Sequence, residues 1–346
     1  MIARDIHIRT VNFYFFLLVS LLLVILFLLD IYLGSVKIPF TDFFSFITGR
    51  EVENGIAKSI FIAIRIPKAV AAILAGSALA VSGLQMQTIF RNPLAGPYVL
   101  GISSGASLGV AIVVLGFSAL TIPAWISQLT IAAAAMIGSL VVLLVVLLVS
   151  VRIKDNMTIL ILGMMFGSGA SAIVSILQYF SNETLLKSFV IWTMGSLGSV
   201  TGIQIWFFAL IVILGLGLAI ILSRPLNVIL IGDNYARTLG VKIGTTRFLV
   251  FLSTSMLAGA TTAFCGPIGF IGIAVPHVVK IILRTSNHFI LIPAVILAGS
   301  GTMLFCDIIS QLPGLDFTIP VNSVTALLGI PVVVYVVLKN KRIVSS

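Results

Sequence analysis

Charge is what this sequence has least of. Asp, Glu, Lys and Arg make up 9% of its 346 residues, against about 25% in soluble domains. Acids are scarcer than bases, 10 against 20. No charged residue falls near the middle of any long apolar run. A charge at a bilayer centre costs about 2.5–3.5 kcal/mol on insertion scales. Ion-coupled carriers accept that cost because the charged group carries the coupling. Its absence here argues against an ion-coupled secondary carrier.

Cysteine and histidine are almost as rare, 2 and 3 residues. Cys265 and Cys306 have no C-x-x-C spacing, so they read as small buried side chains rather than a disulfide or metal site. His7 lies in the basic N-terminal tail and His288 near a helix start. His277 follows Pro276 and reads as a partner for carbonyls freed by the proline. No Ser/His/Asp set or His/Glu metal spacing is visible, so no catalytic residue and no metal are expected. No GxxxxGK[ST] loop occurs either, so this chain is not expected to bind ATP by that device. Uphill transport would then draw its energy from another subunit.

What is present in abundance is hydrophobic sequence, 60% of the chain. A spanning helix needs about 20 apolar residues, and about ten candidate runs reach or approach this length. They lie near 12–33, 66–88, 97–117, 124–150, 157–180, 203–222, 247–265, 267–283, 288–306 and 320–338. The first is expected to stay as a spanning helix, since no small-x-small cleavage site follows it. If the N-terminus is cytoplasmic, only Lys37, Arg50, Lys58, Arg65, Lys68 and Lys187 of the 20 Lys and Arg fall outside. The remainder, including Arg4, Arg9, Arg152, Lys154, Lys341 and Arg342, fall inside, as the positive-inside rule requires. The C-terminus is then cytoplasmic too. The formal charge of +10 is spread over many short loops, so nucleic acid is not an expected partner. The chain is expected to be one membrane domain, 1–346.

Three stretches carry more information than composition. Residues 62–109 hold two Gly/Ala/Ser-rich runs around the tight corner RNPLAGP, as closely packed membrane helices require. GPYVLGIS after Ala95 and GPIGFIGI after Cys265 form a faint echo. On that echo, runs two to five and seven to ten would be related halves of opposite orientation. In the fifth run Gly163, Gly167, Ser171 and Ser175 fall at steps of four, lining one helix face with small residues. That face is read either as packing within the chain or as a surface that meets a symmetry mate or lines a passage. Segment 223–246 is the longest internal cytoplasmic stretch. Asp233 is placed there as an N-cap and Gly240 as a left-handed C′ residue, with a short helix from Asn234 to Leu239 between them. It is read either as a helix lying on the membrane surface or as a docking helix for a cytoplasmic partner.

Taken together the motifs resemble the FecCD family of ABC importer permeases, which includes those for ferric siderophores, haem and vitamin B12. The matching segments are RIPK at 65–68, SGLQMQTIFRNPLAGPYVLGISSGA at 82–106, IWTMGSLG at 191–198 and LNVILIGDNYARTLGV at 226–241. GPIGFIGIAVPH at 266–277, LAGSGTMLFCDII at 297–309 and IPVNSVTALLGIPVVVYVV at 319–337 complete the series.

The resemblance implies an all-α integral membrane protein of about ten helices with the type II ABC importer permease fold. It implies a transport subunit, not an enzyme, in the cytoplasmic (inner) membrane. A second copy, or a paralogous permease, would complete a passage lined by the fifth and tenth helices. Two ATPase subunits, holding ATP and Mg, would bind below, and an extracytoplasmic substrate-binding protein would dock outside. Gly232, Asp233, Asn234, Ala236, Leu239 and Gly240 would form the ATPase-coupling element. Arg65, Lys68 and the position of Gln311 would face the binding protein. The expected cargo is an iron chelate, ferric siderophore or haem, with vitamin B12 as the alternative. Three positions depart from the family pattern. Gln311 stands where an Arg is common, Asn234 where an acid is usual, and Asn322 where Gly follows I-P-V.

Overall fold

A computed structural model describes residues 2–52, 55–116, 124–150, 156–311 and 318–339. Arg152, Lys154, Lys341 and Arg342 of the inner basic set lie outside these residues. The side chains of Arg4 and Arg9 are likewise outside the description. Every regular element among the described residues is helical.

The elements run α1 (Ile2–Tyr32), α2 (Phe40–Ile47), α3 (Gly55–Ile89), α4 (Ile102–Gly116), α5 (Ala124–Ser150), α6 (Asn156–Phe180) and α7 (Glu183–Thr193). They continue through α8 (Ile203–Ile221), α9 (Ser223–Ile231), α10 (Asp233–Thr238), α11 (Ile243–Cys265), α12 (Ile271–Leu283), α13 (His288–Ser310) and α14 (Val321–Lys339). Among the described residues 7 helices are long and apolar enough to cross a membrane. Three shorter apolar helices, Ile102–Gly116, Ile271–Leu283 and Val321–Val336, occupy the third, eighth and tenth expected runs.

Two of these are shorter than their apolar runs for a local reason. Residues 97–100 form a single 3₁₀ turn closed by Gly101 at φ 75°. Residues 266–270 stay irregular, with Gly266 at φ 75° and Phe270 at φ 66°. Each stretch carries a proline, Pro97 or Pro267, that cannot donate to a helix ladder. Proline also shapes α3. Pro67 sits in its fourth turn, and the turn before it, Phe61–Arg65, widens to a π-helix. That widening relieves the clash of the ring with the preceding carbonyls. The short helices α2 and α7 were not visible as apolar runs. Asn182 caps α7, its Oδ1 accepting from the Leu185 N–H at 2.9 Å.

Glycine sets how closely the long helices approach. A Cβ on Gly76 would lie 2.2 Å from the Gly299 carbonyl oxygen, and one on Gly299 would lie 2.4 Å from that of Gly76. The antiparallel pair α3–α13 therefore touches backbone to backbone at its middle. Gly83 meets Gly272 of α12 in the same way, and Gly105 meets Gly138 across α4 and α5. The same pairings recur in the two halves. α4 packs on α5 and α6, as α12 packs on α13 and α14; α3 packs on α13, as α11 packs on α5. Asn322 takes part in this frame, its Oδ1 accepting from the Gly269 N–H at 3.0 Å. It thereby ties α14 to the irregular stretch before α12. Cys265 and Cys306 are both free and buried.

Candidate coupling and docking sites

At one end of the bundle, α9 and α10 form a helix–glycine–helix unit hinged at Gly232, whose φ is 137°. Asp233 is not an N-cap: it is the first residue of α10, and Gly232 holds the cap position. Its carboxylate accepts from Arg91 Nη2 at 2.7 Å through one oxygen and from Arg247 Nη2 at 2.7 Å through the other. Two charge-assisted bonds to guanidinium outweigh a bond to one backbone N–H. Arg91 lies in the RNPLAGP corner just after α3, with φ 48°. Its Nη2 also donates to the Ile229 carbonyl at 3.1 Å. Arg247 lies in the first turns of α11. One carboxylate thus binds the end of α3 and the start of α11 to the hinge.

The far side of α10 ends as expected. Gly240 has φ 81°, its N–H donates to the Arg237 carbonyl, and the Val241 N–H donates to that of Ala236, both at 3.0 Å. This pair of bonds is a Schellman closure. Nothing lies within 4 Å of a Cβ built on Gly240. Gly240→Ala therefore acts through the backbone alone, costing about 1–2 kcal/mol of left-handed strain. The expected result is faster hydrogen exchange at Gly240 and Val241, with exchange in α3 unchanged. Ala236 is buried beneath the segment, whereas Asn234 is exposed. Leu230, Ile231, Tyr235 and Leu239 are exposed too, beside exposed Arg237, Thr238 and Lys242, so the outer surface of the hinge mixes apolar and basic groups.

At the opposite end, the three residues expected to meet a binding protein turn inward. The Arg65 guanidinium is buried and donates to the carbonyl oxygens of Ile31, Tyr32 and Val36. It also lies 5.4 Å from the Phe61 ring centroid. Lys68 Nζ sits 3.1 Å from Asp307 Oδ1, and Gln311 Nε2 donates to Asp307 Oδ2 at 2.8 Å. The reason is energetic. Asp307 is fully buried, and a buried carboxylate without a counter-charge costs more than the docking reach of one lysine gains. Arg65 therefore ties α3 to α1 and Lys68 ties α3 to α13, while Gln311 closes on Asp307 within the end of α13 itself. Lys68→Met is expected to cost about 3–5 kcal/mol of stability, because it strands the Asp307 charge. Adding Asp307→Leu should restore most of it. Thermal unfolding in detergent of the single and double variants checks both.

The small residues of α6 do not share one environment. Gly163 and Gly167 are buried, with Cβ positions 2.7 Å from the Val99 carbonyl oxygen and 3.3 Å from Ser104 Oγ. Ser171 and Ser175 are exposed. A helix has about 3.6 residues per turn, so a step of four drifts about 40° each time. The stripe therefore winds from the α4 side out to the open side of the helix. There Ser171 and Ser175 join Met157, Met164 and Ser168, also exposed.

Arg91 and Arg247 had drawn no attention as functional residues. No local sequence pattern singles them out, and only the fold brings both to Asp233. Among the described residues no group of His, Cys, Asp and Glu could hold a metal ion.

The model of the FecCD transport family matches residues 22–339. This chain belongs to the FecCD transport family. Curated relatives include the vitamin B12 import system permease protein BtuC of Citrobacter koseri, of Salmonella typhi and of Escherichia coli O9:H4 (strain HS). Each is 35% identical over 280 residues, covering 81% of this chain and 83% of the relative. A solved structure described as an inward-facing conformation of a metal-chelate type ABC transporter matches with a TM-score of 0.80 at 29% identity. The match covers 93% of this chain and 97% of that one. The chain is a multi-pass ABC importer permease, and the segment at Asp233 and the cluster at Asp307 lie at opposite ends of its helix bundle.

Proposed function

We propose that the chain is the membrane subunit of an ATP-driven importer whose cargo is a corrinoid of the vitamin B12 kind. The observation that carries the cargo is the 35% identity over 280 residues to vitamin B12 import permeases. It displaces the iron chelate that the motifs alone had put first. The iron chelate stays as the second reading, favoured by the metal-chelate type transporter whose fold this chain shares.

The physical reading of the machine follows from the two ends. The subunit lies in the cytoplasmic membrane with both termini and the hinge inside. The exposed Leu230, Ile231, Tyr235 and Leu239 suit a groove on an ATPase subunit, as apolar helix anchors do, with exposed Arg237 and Lys242 beside them for the rim. Movement of α10 is passed through Asp233 to α3 and α11 together. The open side of α6, with Met164, Ser168, Ser171 and Ser175, faces a second copy of the chain across the passage. Its groups are small and weakly polar, so a bulky solute slides past without strong contacts. Cargo selection then rests with the substrate-binding protein. That protein docks at the end holding Lys68 and Gln311, the two docking candidates that keep partial exposure.

The test is uptake in cells that lack this permease and regain it on a plasmid. Labelled cyanocobalamin uptake should depend on the chain and be competed by unlabelled cobalamin but not by ferric siderophores. Chain-dependent uptake of a ferric siderophore without cobalamin uptake would reassign the cargo to iron.

A further inference from the structure

The start of α13 is not capped by its own residues alone. An isolated helix leaves its first four N–H groups without intrahelical partners. Asn287 Oδ1 takes the Phe289 N–H at 3.0 Å. The N–H of His288, however, donates at 2.8 Å to Oδ1 of Asn227, a residue of α9 some sixty positions away. The same oxygen lies 2.7 Å from His288 Nδ1, and Asn227 Nδ2 donates to Asn287 Oδ1 at 2.8 Å. The hinge unit thus caps a membrane helix in trans.

The imidazole continues the connection. His288 is 1% exposed. With Nδ1 donating to Asn227, the neutral ring leaves Nε2 as an acceptor. Thr88 Oγ1, in the last turn of α3, stands 2.9 Å from it. Asn227, His288 and Thr88 therefore join α9, α13 and α3 through one chain of polar groups, buried at His288 and Thr88 and half-buried at Asn227. The helices it joins are already a unit, locked at Gly76–Gly299 in the middle and at Lys68–Asp307 at the other end. From Lys68 to Thr88 the pair spans about 30 Å at 1.5 Å per residue.

We propose that His288 is a positioning residue that fastens the hinge unit to the α3–α13 pair. Displacement of α9 is then carried as one rigid body to the end where Lys68 meets Asp307. Asp233 pulls on α3 and α11 from α10; His288 adds α13, which Asp233 does not reach. The inference rests on the reading of 223–246 as the ATPase-coupling segment.

The test uses the complete transporter, with its ATPase and binding-protein subunits, in proteoliposomes. It reads substrate moved per ATP hydrolysed. His288→Ala should lower this ratio by about tenfold, within the usual range of coupling between sites. Thr88→Val should lower it in the same direction, and His288→Gln, which keeps a donor toward Asn227, should recover part of it. Ser139→Ala removes a buried hydroxyl that donates to the Met136 carbonyl within α5, a helix that neither Asp233 nor His288 reaches. It should leave the ratio unchanged, which separates coupling from general packing. An unchanged ratio in His288→Ala, or an equal fall in Ser139→Ala, overturns the proposal. If His288→Ala does not assemble, Thr88→Val decides, and an unchanged ratio there overturns it as well. A wild-type complex without ATP-driven uptake would instead overturn the coupling reading itself.

Discussion

Gly83→Ala is expected to prevent assembly of a stable permease, although it adds a single methyl group. The added Cβ would lie 1.7 Å from the Gly272 carbonyl oxygen and 2.7 Å from its Cα. Real Cβ contacts essentially never fall under 3.0 Å, so α3 and α12 must part by more than an ångström. Neither side can give by rotating a side chain, since both contacts are to backbone. The same separation would open the Gly76–Gly299 contact on the neighbouring helix and loosen the buried Lys68–Asp307 pair. Overpacking ordinarily costs about 1–3 kcal/mol, sometimes more, and a backbone clash at a buried helix crossing belongs at or above the top of that range. Size-exclusion chromatography of a fluorescent fusion reads it as loss of the monodisperse peak. Gly217→Ala in α8 is the control, because nothing lies within 4 Å of its Cβ. A normal peak for Gly83→Ala would mean that α3 and α12 do not cross as closely as described.

Asp233→Lys is expected to lower uptake steeply while leaving the protein in the membrane. The substitution removes the acceptor shared by Arg91 and Arg247 and sets a third cation beside them. Arg91 is about half exposed and Asp233 about a third, so that pair contributes only about 0.2–1 kcal/mol, whereas Arg247, 15% exposed, loses a better-shielded partner. Stability should therefore fall modestly, short of preventing insertion. Transmission should change greatly, because three like charges push the hinge away from both helix ends that it must move. Uptake is expected to fall by about 10- to 100-fold, the scale of a coupling free energy of 1–3 kcal/mol. Asp233→Asn should be milder, as its amide oxygen still accepts from one arginine. Uptake by membrane vesicles, normalised to the amount of permease inserted, gives the comparison. Normal uptake in Asp233→Lys would remove Asp233 from the coupling path.

Most of the spans were legible because the bilayer demands about 20 apolar residues of every helix, a signal that needs no tertiary information. Gly240 was legible too: a left-handed helix end favours glycine whatever surrounds it. Asp233 was found but given the wrong bond. Its partners come from 142 and 14 residues away, and no local pattern announces the first of them. Arg65 and Lys68 were read as facing the binding protein because the family resemblance put them there. The fold supplies carbonyls and a buried carboxylate that make the interior the better place for them. The α6 stripe looked continuous because a step of four nearly matches the helical turn; the mismatch, accumulated over three steps, separates Gly163 from Ser175. His288 carried no signal at all, since its role depends on Asn227 arriving from another element.

The most direct measurement is uptake by proteoliposomes holding this chain, its ATPase subunit and its binding protein, with labelled cobalamin outside. Uptake is expected to require ATP inside the hydrolysing compartment, to stop with vanadate, and to be indifferent to a proton or sodium gradient. Uptake driven by an ion gradient without ATP, and untouched by vanadate, would contradict an ATP-coupled mechanism at Asp233.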